Sequence, residues 1–389
     1  MSAIGRVEAL APVRTAAPAA PVRVLMVQTQ AENAGAQEIS RLLGRELERR
    51  GHEVHHLFFY RRTAGADRLP HVVHCMTERP SGIGGLIRLS VRVAGAVRRI
   101  RPDVVLTFQH YGNIVGAPLV RLVSSAPIIA NQVSAEGVTN RAIRAADRLF
   151  GSLGLFRSVT VNSDDTARAF AGHPAAYRAR IVQVPHGFED KTTDVDRATA
   201  RAGFGLPVDT PVIGCAARLH PMKRLDDAIR LLPGRPGWTL ALAGQGADHD
   251  RLAALAAEQG VADRVRFLGE LDPETLGRFL AALDVFVFPS AAETFGLAAV
   301  EAAQAGVPVV ANRLDVLREV LAGDDGPAAV FVDTTDTDAF ARAVDGVLAD
   351  AALRGRLVAA GRRLAERYSL GAMVDAYERL IDEALGRAG

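Results

Sequence analysis

Residues 286–312 read FVFPSAAETFGLAAVEAAQAGVPVVAN. An apolar run enters Pro289-Ser290, a short loop follows, and a small-residue helix is expected from Gly296 to Gly306 before a second apolar run. Strand, helix and strand in that order make a βαβ unit, whose two strands lie parallel in one sheet. Between Gly296 and Asn312 the only charged residue is Glu301, in the middle of an otherwise apolar helix. An ionised carboxylate in such a place is costly unless something hydrogen-bonds it. Glu293 stands eight residues earlier, just before the helix. The backbone N–H groups of Phe295, Gly296 and Leu297 precede the first helical carbonyl partners, so they are expected to form an anion site at the helix N-terminus. Gly296 lets an anion approach the backbone closely. The plainer reading makes Glu293 a favourable helix-start charge and Glu301 a solvent-facing residue.

The same alternation extends outward along the chain. In the first half, strands are expected at 22–27 (VRVLMV), 53–59, 103–107, 127–130, 158–161 and 181–184, with a helix over 35–50 closed by Gly51. A polar stretch, HGFEDKTTDVDRATARAGFGLPVDT at 186–210, reads as a linker with room for a short helix. A second series of strands follows at 212–216, 239–243, 265–268, 285–288, 307–310 and 330–332, and beyond Asp336 the pattern is helical. With 389 residues the chain exceeds the roughly 250–300 at which single cores stop growing. We therefore expect two Rossmann-like, doubly wound parallel-sheet domains, with a ligand in the cleft between their carboxyl ends.

Composition narrows the function. The formal net charge of +2 is too small to point to a nucleic-acid partner. Cys75 and Cys215, the only cysteines, each sit in an apolar run and read as reduced core residues of a cytoplasmic protein. Residues 1–21, rich in Ala and Pro but carrying Glu8 and Arg14, read as a disordered tail rather than a signal peptide. No stretch reaches the roughly 18 uncharged apolar residues of a membrane span. Of the 46 basic residues only Lys191 and Lys223 are lysine, which singles both out.

The E-x7-E pattern after Pro-Ser and before Ala-Gly-Val-Pro resembles the retaining glycosyltransferases of family 4, which have the GT-B fold. Other segments carry the same resemblance. Ala217-Arg218-Leu219 with Pro221-Met222-Lys223-Arg224 is similar to that family's G-R-L…K-G segment. Residues 242–246 (LAGQG) resemble its G-x-G strand end, and Phe267-Leu268-Gly269 the strand before its base pocket. Ala34-Gly35-Ala36-Gln37 with Arg50-Gly51-His52-Glu53-Val54 resembles its opening G-G-A-E…R-G-H-E-V.

The resemblance implies a transferase for a hexose or amino-hexose, using a nucleotide-diphosphate sugar as donor and no resident cofactor or metal. Arg218 and Lys223 would neutralise the donor pyrophosphate, Glu301 would accept the ribose hydroxyls, and Glu293 would hold the donor sugar. Gly35, Phe295, Gly296 and Leu297 would meet phosphate oxygens, while Gly244 and Leu268 would line the donor pocket. It also implies a division into an acceptor-binding domain over 22–187, a linker over 188–210 and a donor-binding domain over 211–370. The last helix, 371–389, would cross back to the first domain. Two departures stand out. Ala34 replaces a glycine of the opening loop. Asn131-Gln132-Val133-Ser134 stands where many relatives place a histidine or an acidic residue near the acceptor. His110 and Gln132 are then the acceptor-side candidates, with Glu136 the first-domain carboxylate closest to them in the pattern.

Three further segments carry a signal. Asp336-Thr337-Asp338 and Asp194-Val195-Asp196 have metal-binding D-x-D spacing but lie in polar connecting segments, where a solvated cluster is expected. In 86–101 (LIRLSVRVAGAVRRIR), Arg88, Arg92 and Arg99 share one helical face and Leu89, Val93, Val97 and Ile100 another. That face is either a solvated helix surface or a peripheral contact with the inner face of a membrane. For the whole chain, a nucleotide-sugar epimerase and a non-catalytic nucleotide-sugar-binding partner subunit are the competing readings.

Overall fold

The computed structural model describes residues 5–6, 20–31, 35–62, 69–132, 140–387 of the chain. Most of the expected tail, Ala34 of the opening loop and Glu136 lie outside the described residues. The chain divides into two compact units: Met1–Gly187 with Tyr368–Gly389, and Phe188–Arg367.

The first unit is built on β1 (Gly5–Arg6), β2 (Arg23–Ala31), β3 (Glu53–Arg61), β4 (Val72–Met76), β5 (Val104–Phe108), β6 (Ile128–Gln132), β7 (Ser158–Val161) and β8 (Ile181–Gln183). They pair in the order β1-β8-β7-β6-β5-β2-β3-β4, every ladder parallel. Helices therefore cover the faces of this sheet, and its central strands read as unbroken apolar runs. Val24, Leu25, Met26 and Val27 of β2 are all fully buried. Leu25, Val27, Val105 and Ile128 pack with Leu89, Val93 and Val97 of the helix Gly82–Ile100, the apolar face read from the sequence. Strand β4 was not expected. His71 and His74 interrupt its short apolar run, and only register with β3 (Leu57 opposite Val73) makes it a strand.

The C-terminal helix, Leu370–Leu385, belongs to this first unit. Arg50 donates to Asp375 at 2.6 Å and also pairs with Glu378, and the buried Tyr377 hydroxyl donates to Asn131 Oδ1 at 2.6 Å. A Cβ on Gly187 would lie 2.6 Å from Leu370 Cα, so only glycine lets the helix start so close to the strand-end turn.

The second unit carries β9 (Val212–Ala216), β10 (Thr239–Ala243), β11 (Val265–Gly269), β12 (Val285–Phe288), β13 (Val309–Asn312), the small antiparallel pair β14 (Ala322–Gly323) and β15 (Gly326–Pro327), and β16 (Ala329–Val332). The main sheet runs β11-β10-β9-β12-β13-β16 and is wholly parallel. Residues 188–210, expected as a linker, are packed into this unit. The helix Arg197–Gly203 lies against Pro273–Ala282, and the buried Arg201 guanidinium bonds Ala282 O at 2.9 Å and Asp284 Oδ2 at 2.5 Å. A polar sequence is misleading there because one arginine satisfies several carbonyls at once.

Candidate active site

In an open parallel sheet, ligands bind outside the carboxyl ends of the strands where the chain order reverses. In the second unit that point is the gap between β9 and β12: the chain runs outward through β10 and β11 on one side and through β13 and β16 on the other. The two segments leaving these strands contain most of the charged residues read from the sequence.

After β9 comes Ala217-Arg218-Leu219 and then a single 3₁₀ turn, Pro221–Lys223, with Arg224 left-handed at φ 49°. This segment runs beside the one leaving β10: Ala217 N donates to Ala243 O at 2.9 Å and Leu219 N to Gln245 O at 3.0 Å. The approach is so close that a Cβ on Gly244 would sit 2.0 Å from Ala217 O, and one on Gly246 2.1 Å from Leu219 O. The small residues of LAGQG are thus required by backbone packing. Arg218 is exposed at the start of this segment.

After β12, Pro289-Ser290 turns the chain toward Met222, whose carbonyl accepts from Ala291 N at 2.8 Å. Lys223 Nζ then meets Glu293 Oε1 at 2.6 Å, with side chains only 21% and 11% exposed, and lies 5.6 Å from the Phe288 ring centroid. One lysine and one of the two glutamates of the motif are thereby brought together across 70 residues of sequence. Gly296, at φ 85°, caps the helix Leu297–Gln304. Its missing side chain leaves room for Leu317, whose Cδ2 would be 2.4 Å from a Cβ. The helix N-terminus at Gly296 and Leu297 follows the Glu293 loop directly, with Phe295 buried beneath it. Glu301 is half-buried in that helix, while Val300, Ala302 and Ala303 beside it are fully buried.

Two supports were missed in the sequence. Asn312 Nδ2 donates to Ser290 O at 3.0 Å, and Thr334 Oγ1 to Pro289 O at 3.4 Å, fixing the turn that aims Glu293. The available signal was a polar residue at each of two strand ends. Further along the sheet edge, Leu268 is half-buried in β11, His249 and Phe267 rings lie 4.8 Å apart, and Gln245 is bonded to Glu270. Burial pushes the Cys215 thiol up to about 12, as it does Cys75 in the first unit, so neither is a nucleophile at neutral pH.

The first-unit candidates are placed differently. Gly35 opens the helix Gly35–Arg49. His110 follows β5 in the short turn Gln109–Tyr111, and burial lowers its pKa, so its ring is neutral at pH 7. Gln132 is buried, and its amide donates to Asp147 Oδ1 at 2.8 Å and Tyr177 Oη at 3.1 Å. That trio gives Gln132 a structural occupation. The two D-x-D segments prove to be helix starts: Asp336 accepts from Ala339 N and Asp196 from Thr199 N. Among the described residues no group of three or more His, Cys, Asp or Glu is placed to hold a metal, and no helix is long and apolar enough to cross a membrane.

Two Rossmann-like units in sequence define a two-domain α/β protein of the GT-B type. The fold is shared with Anabaena HepE, solved in complex with UDP and glucose, at a TM-score of 0.80 over 93% of this chain and 99% of that one, with 19% identity. Residues 196–364, most of the second unit, match the model of the family Glycosyl transferases group 1. Among curated proteins, a D-inositol 3-phosphate glycosyltransferase of Acidothermus cellulolyticus is 34% identical over 267 residues, covering 62% of this chain and 57% of that protein. The lipopolysaccharide core biosynthesis glycosyltransferase LpsE of Rhizobium meliloti is 37% identical over 185 residues, 47% of this chain and 53% of its own. The matches thus span about half the length of these relatives.

Proposed function

We propose that this protein is a retaining glycosyltransferase that moves a hexose or amino-hexose from a nucleotide-diphosphate sugar to an acceptor hydroxyl. The observation that carries the reading is the Lys223–Glu293 pair at the β9/β12 switch point, beside the glycine-capped start of the helix that bears Glu301. Lys223 and Arg218 neutralise the donor pyrophosphate, whose charge grows as the nucleotide leaves. Glu301 accepts the ribose hydroxyls, and Glu293 both fixes Lys223 and holds a hydroxyl of the donor sugar. Phe295, Gly296 and Leu297 offer N–H groups to the phosphates, and Gly244 and Leu268 line the base side.

Neither glutamate is then available as a general base on the acceptor side, which an inverting transferase needs. A front-side path avoids that need: the bond from the anomeric carbon to the phosphate oxygen breaks, the acceptor oxygen bonds to the same face, and the departing phosphate takes the acceptor proton. Two basic residues replace a metal in this scheme, so activity in excess EDTA should equal that without it. Incubation with a panel of α-linked nucleotide sugars and candidate acceptors tests the reading. The expected product is an α-glycoside plus nucleoside diphosphate; a β-glycoside overturns the mechanism, and an isomerised donor overturns the reaction class.

The site of action proposed is the cytoplasm, with peripheral contact to an anionic membrane through the helix Gly82–Ile100. Ile83 (80% exposed), Leu86, Ile87 and Val91 stand in solvent on the same helix as the exposed Arg88 and Arg99, an arrangement suited to a charged apolar boundary. Arg92 is engaged differently, donating to Cys75 O at 2.6 Å. Co-sedimentation with anionic vesicles at low salt should be lost in an Arg88/Arg99→Glu double variant; equal recovery of both proteins in the supernatant removes the membrane contact.

A further inference from the structure

The first unit has its own switch point, between β2 and β5 at the carboxyl ends of its strands. A polar pocket lies at the opposite, amino end of the same sheet. On the face covered by the helix Gly82–Ile100, Leu57 of β3 stands between Val27 of β2 and Val73 of β4, an apolar row. Two residues nearer the amino ends, the same face carries His55 and, just before β4, His71; Arg23 opposite Glu53 follows. The helix ends at Ile100, and under its last turn is an open pocket of about 300 Å³ whose polar lining is Arg23, Glu53, His55, His71 and Arg99.

The carboxylates at this end are already engaged. Glu53 accepts from His55 Nε2 at 2.7 Å and from Arg23 Nε at 2.8 Å, and these two bonds hold its carboxyl below the usual range. Asp103 accepts from Arg23 N at 2.7 Å. Glu48, whose charge reaches His71, forms no ion pair with it among the described residues. Arg23 itself is occupied, since its Nη1 donates to Ile100 O at 3.1 Å and closes the helix end. Two groups remain for a ligand. Arg99 is exposed in the last helical turn and pairs with no carboxylate among the described residues. His71 is exposed as well, its ring 5.0 Å from that of His55. The backbone at this rim is costly: His71 and Arg101 hold left-handed φ values of 50° and 52°, which glycine would adopt freely. Such outliers gather at functional sites.

We propose that this pocket binds a phosphate monoester through Arg99 and His71. A guanidinium offers two parallel N–H groups that match two phosphate oxygens, and the His71 ring adds a third donor. A carboxylate only accepts, so His55 Nε2 carries the proton shared with Glu53 and Nδ1 is left as an acceptor. A phosphate monoester supplies the matching donor, because it keeps one P–OH proton below its second pKa of about 6. A carboxylate ligand would leave that acceptor unused, and a cation would face two guanidinium groups. The assignment does not depend on the glycosyl-transfer reading. At the amino ends of the strands the ligand takes no part in chemistry at the carboxyl ends, so it serves as an effector or an anchor.

Titration of inorganic phosphate into the histidine-labelled full chain, followed through the ring NMR signals, tests it. Saturable shifts of His55 and His71 are expected. Arg99→Gln should weaken the affinity read at His55 about tenfold or more, the loss of one charge-assisted contact. His71→Asn, which keeps a side chain tolerant of left-handed backbone, should act in the same direction. Lys223→Ala, in the second unit, should leave these signals as in the wild type, which separates the pocket from phosphate held in the donor crevice. A second arm identifies the source of the phosphate. Pelleting with phosphatidic-acid vesicles that inorganic phosphate competes away at constant ionic strength assigns a lipid headgroup; vesicle behaviour that phosphate does not change assigns a soluble monoester. No saturable shift at His55 or His71, or equal affinity in the wild type, Arg99→Gln and His71→Asn, overturns the assignment.

Discussion

The two switch points of this molecule are built from opposite chemistry. In the second unit the crevice between β9 and β12 carries Lys223, Glu293, Arg218 and a helix start, all charged or dipolar. In the first unit the region of the β2/β5 reversal carries Gln28, Thr29, Gln37 and Gln109, all neutral. On the proposed reading the charged crevice suits a pyrophosphate, which needs cations, whereas the neutral region offers no charge to an anion. The difference also explains why one site was far more legible than the other. Charges in an apolar context stand out in a sequence, whereas glutamines do not.

The largest expected effect would break the charged side. Lys223→Ala and Arg218→Ala should each lower kcat/KM by about 10²–10³, the scale of one lost transition-state contact. Wild-type kinetics over the full donor range in either variant would remove that residue from the leaving group. Lys223→Ala also leaves Glu293, which is only 11% exposed, without its partner. The melting temperature should therefore be measured alongside to separate folding from chemistry.

Next comes the backbone that shapes the charged crevice. Gly244→Ala forces a Cβ to within 2.0 Å of the Ala217 carbonyl at a φ of 133°. We expect a loss of about 2–4 kcal/mol, from overpacking together with backbone strain. Denaturant unfolding checks this, and an unchanged midpoint would show that the two segments separate freely.

Acid should act through the first unit. His56 and His186 are buried there, and burial lowers them to about 4 and about 3. Their folded values lie below the ordinary unfolded value of about 6.5, so the unfolded chain binds protons first. Their contribution is complete above about pH 6.5 and is lost as pH falls toward 4 for His56 and toward 3 for His186, at up to about 1.4 kcal/mol per pH unit for each. His56→Gln should flatten the stability profile between pH 6.5 and 4 by up to one proton's worth of slope. The same slope in the variant would mean that His56 does not stay neutral in the folded state.

The smallest expected effect is a control of opposite sign. Gly95 lies in the exposed part of the helix Gly82–Ile100, with nothing within 4 Å of an added Cβ. Gly95→Ala should stabilise the protein by about 0.5–1 kcal/mol, with activity unchanged. A destabilised variant would show that this helix surface is packed against something.

Much of the architecture was readable because apolar runs and their spacing are local properties. Strands 158–161, 212–216, 239–243 and 285–288 have the expected bounds. What was not readable depends on distant partners. Strand β4 exists through its register with β3, and residues 188–210 join the second unit through Arg201. The pairing of Lys223 with Glu293 spans 70 residues, although the rarity of lysine drew attention to one end of it. Asn131 and Gln132 stood out as departures from a pattern. Their occupation in a buried network with Thr160, Tyr377, Asp147 and Tyr177 is visible only in three dimensions.

On the proposed reading, the second unit's crevice holds a nucleoside diphosphate through Lys223 and the helix bearing Glu301. Calorimetric titration of UDP, GDP and ADP into the wild type, Lys223→Ala and Glu301→Gln tests it most directly. The account predicts that at least one of the three binds the wild type and that each substitution weakens it about tenfold or more, while both variants keep the wild-type melting temperature within a few degrees. Equal affinity in all three proteins, or no binding by the folded wild type, would contradict it.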